Sequence, residues 1–329
     1  MVWPAWGWSV IGVLCVWAAI VAVTGGSPLQ PMSQALTLAP YLALVALGQM
    51  LVITLGPGNI DVSVGAVVSM SAYVSVLISS EHGAVVGLLS AIAAGVVAAL
   101  CSVIAILGLR VPPIIATLAT SLIVGSTTLL LADSNRGGAD VALRSFVNSK
   151  IMGLPVVALV VLAITVCVAL MLRRTTLGLG LVATGQSFKA ARVAGIRVSV
   201  VTAFAYLTSG ACAGLVGGLL AAFISPSPAL GASYMLDSIA VVVIGGTLIA
   251  GGRPVSTGVW TGALFFVLLS ALLNLVGWSV GAQNILKGLL VVLVVIASSS
   301  ATRTGGSTWR QLRASFQSNK KQQLGDIHG

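Results

Sequence analysis

Asp61, Asp237 and Lys287 are the ionisable residues that fall within or against the long apolar runs of this 329-residue chain. A charge at the centre of a bilayer costs about 2.5–3.5 kcal/mol on insertion scales, so each needs a partner, a helix end or a wet surface. Asp61 stands in "LVITLGPGNIDVSVGAV", residues 51–67, where Gly56, Pro57, Gly58 and Asn59 interrupt an apolar run that then resumes. Asp237 opens the run "LDSIAVVVIGG", where a carboxylate suits the positive end of a helix dipole. Lys287, in "NILKGLLVVL", is expected to snorkel toward an interface. Asn59, Ser63, Thr117, Asn274 and Asn284 add uncharged groups able to line a polar path.

Bond-breaking chemistry finds no support. Cys15, Cys101, Cys167 and Cys212 lie in apolar runs without CxxC or Cys/His spacing and are expected to be small buried packing residues. His82 and His328 have no partners at ligand spacing, so no metal site is expected. The chain holds no GxxxxGK[ST] loop, which argues against ATP binding through a P-loop of its own. No nucleophile–base pair points to an intramembrane enzyme, and no repeated filter-like element points to a channel.

Composition says what must position these residues. Hydrophobic residues make up 58% of the chain and charged residues 7%, with a mean hydropathy of +1.11. So few charges cannot cover a soluble domain of this size, and several apolar runs reach the ~17–25 residues that a membrane-crossing helix needs. The expected fold is an all-α, polytopic transmembrane helical bundle. Ten spans are read near residues 6–23, 38–56, 63–80, 84–109, 113–132, 155–172, 199–224, 235–250, 256–276 and 282–299. The transmembrane domain thus covers residues 1–299, and residues 300–329 form a basic tail, lipid-associated or disordered. The first span lacks the basic n-region of a signal peptide, and Trp3, Trp6, Trp8 and Trp17 suit an interface-anchored helix.

Ten spans with both termini in the cytoplasm make a testable charge distribution. Arg110, Arg173, Arg174, Lys189, Arg192, Arg197, Arg253, Arg303, Arg310, Arg313, Lys320 and Lys321 then lie inside, and only Arg136, Arg144 and Lys150 lie outside. Glu81, Asp133 and Asp140 fall in outer loops. This is the positive-inside pattern. The net charge of +10 is therefore a topology signal, and no nucleic-acid partner is expected.

Two loops are long enough to hold structure. The outer loop 133–154 reads either as a solvated connector or as a docking surface for an extracytoplasmic partner. The inner loop 173–198, "RRTTLGLGLVATGQSFKAARVAGIRV", runs through Gly178, Gly180 and Gly185 to a helix-compatible stretch, Ser187 to Ala194. Lys189 and Arg192 share one face of that stretch, and Gly195 is a plausible stop. It reads either as an amphipathic helix on anionic lipid or as a helix offered to a cytoplasmic protein, with Ala190, Ala191 and Ala194 permitting close approach. The residues alone leave both open.

Five segments, in order, resemble the permease subunits of bacterial ABC importers of the ribose/sugar type, a group that includes autoinducer and galactofuranose permeases. They are "GQMLVITLGPGNIDVSVGAV", "TTLGLGLVATGQSFKAARVAGI", "LTSGACAGLVGGLLAA", "LDSIAVVVIGGTLIAGGRP" and "NILKGLLVVLVVI", and the likeness extends from about Val45 to Ile296. It implies a multi-pass protein of the bacterial cytoplasmic (inner) membrane. This protein would pair with a second permease copy or a sister permease, with a cytoplasmic ABC ATPase that binds ATP and Mg, and with an extracytoplasmic sugar-binding protein. It implies no catalytic residue and no cofactor on this chain. It also implies that the inner loop carries a coupling helix, a role that falls on Gly185, Lys189, Ala190, Ala191, Arg192 and Gly195. Two departures stand out: Ser187 replaces the family's usual Asn, and "GPGNID" is two residues longer than the usual "GGID". The glycine-rich runs Gly210–Gly214–Gly217–Gly218 and Gly245–Gly246–Gly251–Gly252 are expected at close helix contacts.

Pro57 and its flanking glycines should break the helix, so backbone groups there must be buried in protein or wetted. "GGRPVSTG" at 251–258 echoes the segment, a hint of a weak internal repeat. Asp61 is accordingly read as an anchor capping the third span rather than a sugar ligand. The competing function is a secondary transporter driven by an ion gradient, for which Asp61 would be the membrane-embedded carboxylate.

Overall fold

The computed structural model describes residues 6–26, 28–134, 137–293 and 296. Trp3, Arg136, the end of the last expected span and the basic tail from residue 300 lie outside the described residues. Helices dominate: α1 (Gly7–Thr24), α2 (Leu29–Thr54), α3 (Val64–His82), α4 (Ala84–Val103, prolonged by a π-helical turn over Ile104–Gly108), α5 (Pro113–Ser134), α6 (Val141–Asn148), α7 (Val156–Arg174), α8 (Thr176–Gln186), α9 (Phe188–Val193), α10 (Val198–Phe223), α11 (Tyr234–Ile244), α12 (Ser256–Leu275) and α13 (Val280–Leu293). Eight of these, α1–α5, α7, α10 and α12, are long and apolar enough to cross a membrane, while α11 and α13 are shorter apolar helices. The chain is an all-α polytopic membrane protein.

Helix α2 is the axis of the bundle. It is buried almost continuously from Ala39 to Thr54, because α10, α12, α11 and α7 surround it. It begins at Leu29, nine residues before the expected span. Pro31 lies in its first turn, where a missing N–H breaks no helical hydrogen bond. Helix α1 packs outside, against α12.

Helices α3, α4 and α10 pack through glycine. A Cβ on Gly95 would fall on the Gly210 carbonyl oxygen, and one on Gly214 would fall on that of Ala91. A Cβ on Gly217 would meet the Val68 carbonyl, with Ser71 Cβ at 2.9 Å. Without bulky side chains the backbones approach closely, and dispersion across the crossing replaces a hydrophobic driving force that lipid does not supply. Gly95→Leu should therefore force α4 from α10 and cost about 1–3 kcal/mol or more. A lowered thermal midpoint of the detergent-purified protein checks this, with Gly125→Ala as control, since nothing lies within 4 Å of that position.

Two expectations need correction. Cys15, Cys101 and Cys167 are exposed on the outer faces of their helices, and only Cys212 is buried. An apolar run signals lipid-facing and core positions alike when the surrounding solvent is hydrocarbon. The glycine-rich start of the inner loop is helical: Thr175 Oγ1 accepts from the Gly178 N–H at 3.1 Å and caps α8. Its glycines serve contact, since a Cβ on Gly178 would strike the Met171 carbonyl of α7. The loop 133–154, long enough by sequence to hold structure, does so. Asp140 Oδ1 accepts from the Ala142 N–H at 2.8 Å to start α6, and a two-residue hairpin pairs Lys150 with Pro155 and Ile151 with Leu154.

Candidate functional site

Helix α2 ends where the sequence breaks. Gly56 and Gly58 take φ of +113° and +81°, values a residue with a Cβ adopts only under strain. The chain then turns back into the bundle. Asp61 comes level with Ser209, eleven residues into α10, or about 16 Å along that helix at 1.5 Å per residue.

There Asp61 is 2% exposed. Its Oδ1 accepts from the Ser63 N–H at 3.0 Å and from Ser63 Oγ at 2.6 Å, and its Oδ2 accepts from Ser209 Oγ at 2.8 Å. The Gln49 amide, oriented to satisfy both its ends, accepts from the Asp61 N–H and donates to the Asp61 carbonyl at 3.2 Å each. Beside it, Tyr206 Oη donates to Asn59 Oδ1 at 3.2 Å, and Thr117 Oγ1 donates to the Ile60 carbonyl at 3.3 Å. Asn59, Asp61, Ser63 and Thr117 thus form one cluster. It fixes the start of α3 to α2, α5 and α10 and satisfies backbone freed by the break.

A second helix also starts inside the bundle. After α10 the chain returns so that the Gly231 N–H donates to Ser69 Oγ of α3 at 2.9 Å, and a Cβ on Gly65 would lie 2.6 Å from the Gly231 carbonyl oxygen. The 11 residues of α11 follow, about 16 Å of helix against a hydrocarbon core of about 30 Å. Asp237 sits in its first turn. Lys287 does not snorkel: its Nζ donates to Asp237 Oδ2 at 3.0 Å and lies 6.0 Å from the Phe266 ring centroid. The sequence gives no local sign of this pairing, because fifty residues lie between the two charges. Asn274, at the far end of α12, accepts from Gln283 Nε2 at 2.7 Å. It lines a cavity of about 270 Å³ that Asp237 also lines, away from the Asp61 cluster. Asn284 lines a further cavity of about 650 Å³ together with Asp237 and Lys287.

The inner loop rests on the first break. A Cβ on Gly185 would fall on the Thr54 carbonyl oxygen and against the Gly252 nitrogen, while the Gly252 N–H donates to the Thr54 carbonyl at 2.9 Å. Gly251 stacks on Gly56 with no room for a side chain. The segments "GPGNID" and "GGRPVSTG", which echo each other in sequence, meet here backbone to backbone.

From this base α9 projects. Ser187 Oγ accepts from the Ala190 N–H at 3.3 Å to cap it. It closes with the Gly195 N–H donating to the Arg192 carbonyl and the Ile196 N–H to that of Ala191. Gly195 takes φ +81°, the left-handed stop its position implies. Gly185 and Ala191 are buried; Lys189, Ala190 and Arg192 are exposed. Beside the exposed cations stand two residues absent from the sequence-based candidates, Phe188 at 56% and Val193 at 89% exposure. The available signal is an apolar pair at either end of a basic, six-residue helix.

Comparison with known proteins places this arrangement. A family model described as "Branched-chain amino acid transport system / permease component" matches residues 32–295. The ribose import permease of Bacillus subtilis (strain 168) is 33% identical over 291 residues, 86% of this chain and 89% of that protein. The galactofuranose transporter permease of Escherichia coli (strain K12) is 31% identical over 278 residues, covering 83% and 80%. The autoinducer 2 import system permease of Enterobacter sp. (strain 638) is 28% identical over 292 residues, covering 87% and 84%. No solved structure matches. With the family model spanning nearly the whole helical body, the chain belongs to the permease family of bacterial ABC import systems.

Proposed function

We propose that the chain is the transmembrane permease of an ATP-driven importer for a sugar or sugar-like solute, coupled through α9 to a separate cytoplasmic ATPase. The names of its relatives support the substrate class. The carrying observation is α9 itself. Exposed Phe188 and Val193 with Lys189 and Arg192 offer an apolar contact beside two positive charges, on a helix whose base is locked to the end of α2 and to the loop before α12.

In this reading all ten apolar helices span or enter the bilayer, both termini are cytoplasmic, and the multi-pass protein sits in the bacterial inner membrane. Two permeases, identical or sister copies, form the pore, and an extracytoplasmic binding protein delivers the solute. ATP and Mg belong to the ATPase. Its closure pushes on α9, and the junction of Thr54, Gly185 and Gly252 carries that push to α2 and to the loop before α12. The outer helix α6 and its hairpin, with Val141 and Met152 exposed, face the binding protein.

Phe188→Asp combined with Arg192→Glu should insert and fold as the parent does but fail to co-purify with the ATPase, and ATP-dependent uptake should fall about tenfold or more, as expected when a central apolar anchor is lost. Co-purification and uptake at parental levels would contradict the docking role.

A further inference from the structure

The cavity between α2, α11 and α12 has a lining that the junction at Asp61 lacks. Gln34, Tyr234, Asp237, Ser270 and Asn274 share its wall with apolar Leu38, Leu42, Phe266 and Val267. On the other side of Asp237 the larger cavity between α11 and α13 opens, lined by Lys287 and Asn284. The ion pair therefore stands as a partition between two spaces at the start of a half-length helix. Its side chains are 11% and 13% exposed.

We propose that the cavity lined by Asp237 is a transit site for a neutral, polyhydroxylated solute, with Asp237 as its principal hydrogen-bond acceptor. The pair Asp237–Lys287 carries no net charge, so it does not select an ion. The other polar groups are amides and hydroxyls, each able to donate and to accept, which matches solute hydroxyls that do both. The apolar wall at Leu42, Phe266 and Val267 suits the C–H face of a small ring. Lys287 holds the carboxylate through Oδ2 alone, so Oδ1 is not taken up by Lys287 in a residue that lines the cavity. One carboxylate among neutral groups gives weak, passing affinity, which suits a path that must also release its cargo. The inference rests on the import reading but assigns a place and a chemistry that reading leaves open.

Two measurements test it. In a cysteine-free background in nanodiscs, Ser270→Cys should react with a charged, membrane-impermeant thiosulfonate about tenfold faster than Leu129→Cys, an exposed, lipid-facing position on α5, because only ionised thiol in water reacts. An unreactive Ser270→Cys would mean that hydrocarbon or protein fills the cavity and would overturn the proposal. In the reconstituted assembly, Asp237→Asn with Lys287→Gln leaves no buried unpaired charge, so the helices can stay joined. D-ribose uptake should nonetheless fall about three- to tenfold, because the neutral amide oxygen accepts a solute hydroxyl's hydrogen bond only about half as strongly as a carboxylate does, with an unchanged thermal midpoint. Parental uptake in this double variant would show the pair to be a structural tie only and would overturn the role of Asp237. The labelling arm needs no transport. Failure of the unmodified assembly to import sugar would therefore count against the import reading, while Ser270→Cys labelling alone would still decide whether the cavity holds water.

Discussion

Gly185→Val should uncouple the protein while leaving the glycine-packed contacts of α3, α4 and α10 intact. The added Cβ would lie on the Thr54 carbonyl oxygen and against the Gly252 nitrogen, with Gly252 Cα at 2.9 Å. These are backbone atoms, so no rotamer change relieves the clash, and the end of α8 must lift from α2. Overpacking of this kind costs about 1–3 kcal/mol, occasionally more. The contacts of α3, α4 and α10 involve other glycines, Gly95, Gly210, Gly214 and Gly217, and should persist. The expected result is normal membrane insertion, a modest fall in thermal midpoint and uptake reduced at least about tenfold, larger than the fold defect explains. Gly195→Ala separates position from residue type. Its φ is +81° but nothing lies within 4 Å, so it should cost only the backbone strain of about 1–2 kcal/mol. If Gly185→Val transports as the parent does, the junction does not carry the movement of α9.

Asp61 distinguishes the anchor from a charge carrier. Asp61→Ala leaves the Ser63 N–H and the Ser63 and Ser209 hydroxyls without their acceptor in a site that is 2% exposed. A stranded group costs about 1–3 kcal/mol, less for a hydroxyl that can turn to another acceptor, so a loss of at least about 2 kcal/mol is expected, with the start of α3 loosened and uptake abolished. Asp61→Asn keeps the shape and one carbonyl oxygen for the Ser63 N–H, and the Ser209 hydroxyl can turn to accept from the new amide. It should cost under about 1.5 kcal/mol and retain most uptake. Thermal unfolding and uptake of the two variants check this. A folded Asp61→Asn protein with no uptake would give the carboxylate a charge-dependent role and favour an ion-gradient mechanism.

Some of this is legible in the sequence, and the rest is hidden for physical reasons. Long apolar runs report the helices, because in hydrocarbon every backbone group must be bonded within its own segment. Ser187, Lys189, Arg192 and Gly195 report α9, since cap, charge and stop are local signals. Asp61 as an anchor is readable from its place before an apolar run, but Gln49, Tyr206 and Ser209, which hold the break in place, are invisible because their pairing depends on tertiary packing. The tie between Asp237 and Lys287 is hidden for the same reason. Gly178, Gly180 and Gly185 mislead, since glycine in water marks a loop whereas here it marks the close approach of α8 to α7, α10 and α2.

Above all, this chain should move a sugar only when an ATPase drives it. Proteoliposomes holding the permease, its ATPase and the extracytoplasmic binding protein should accumulate radiolabelled sugar when ATP reaches the cytoplasmic face, and should lose that uptake when the ATPase is omitted. Uptake that persists without the ATPase under a proton or sodium gradient would refute ATP-driven import.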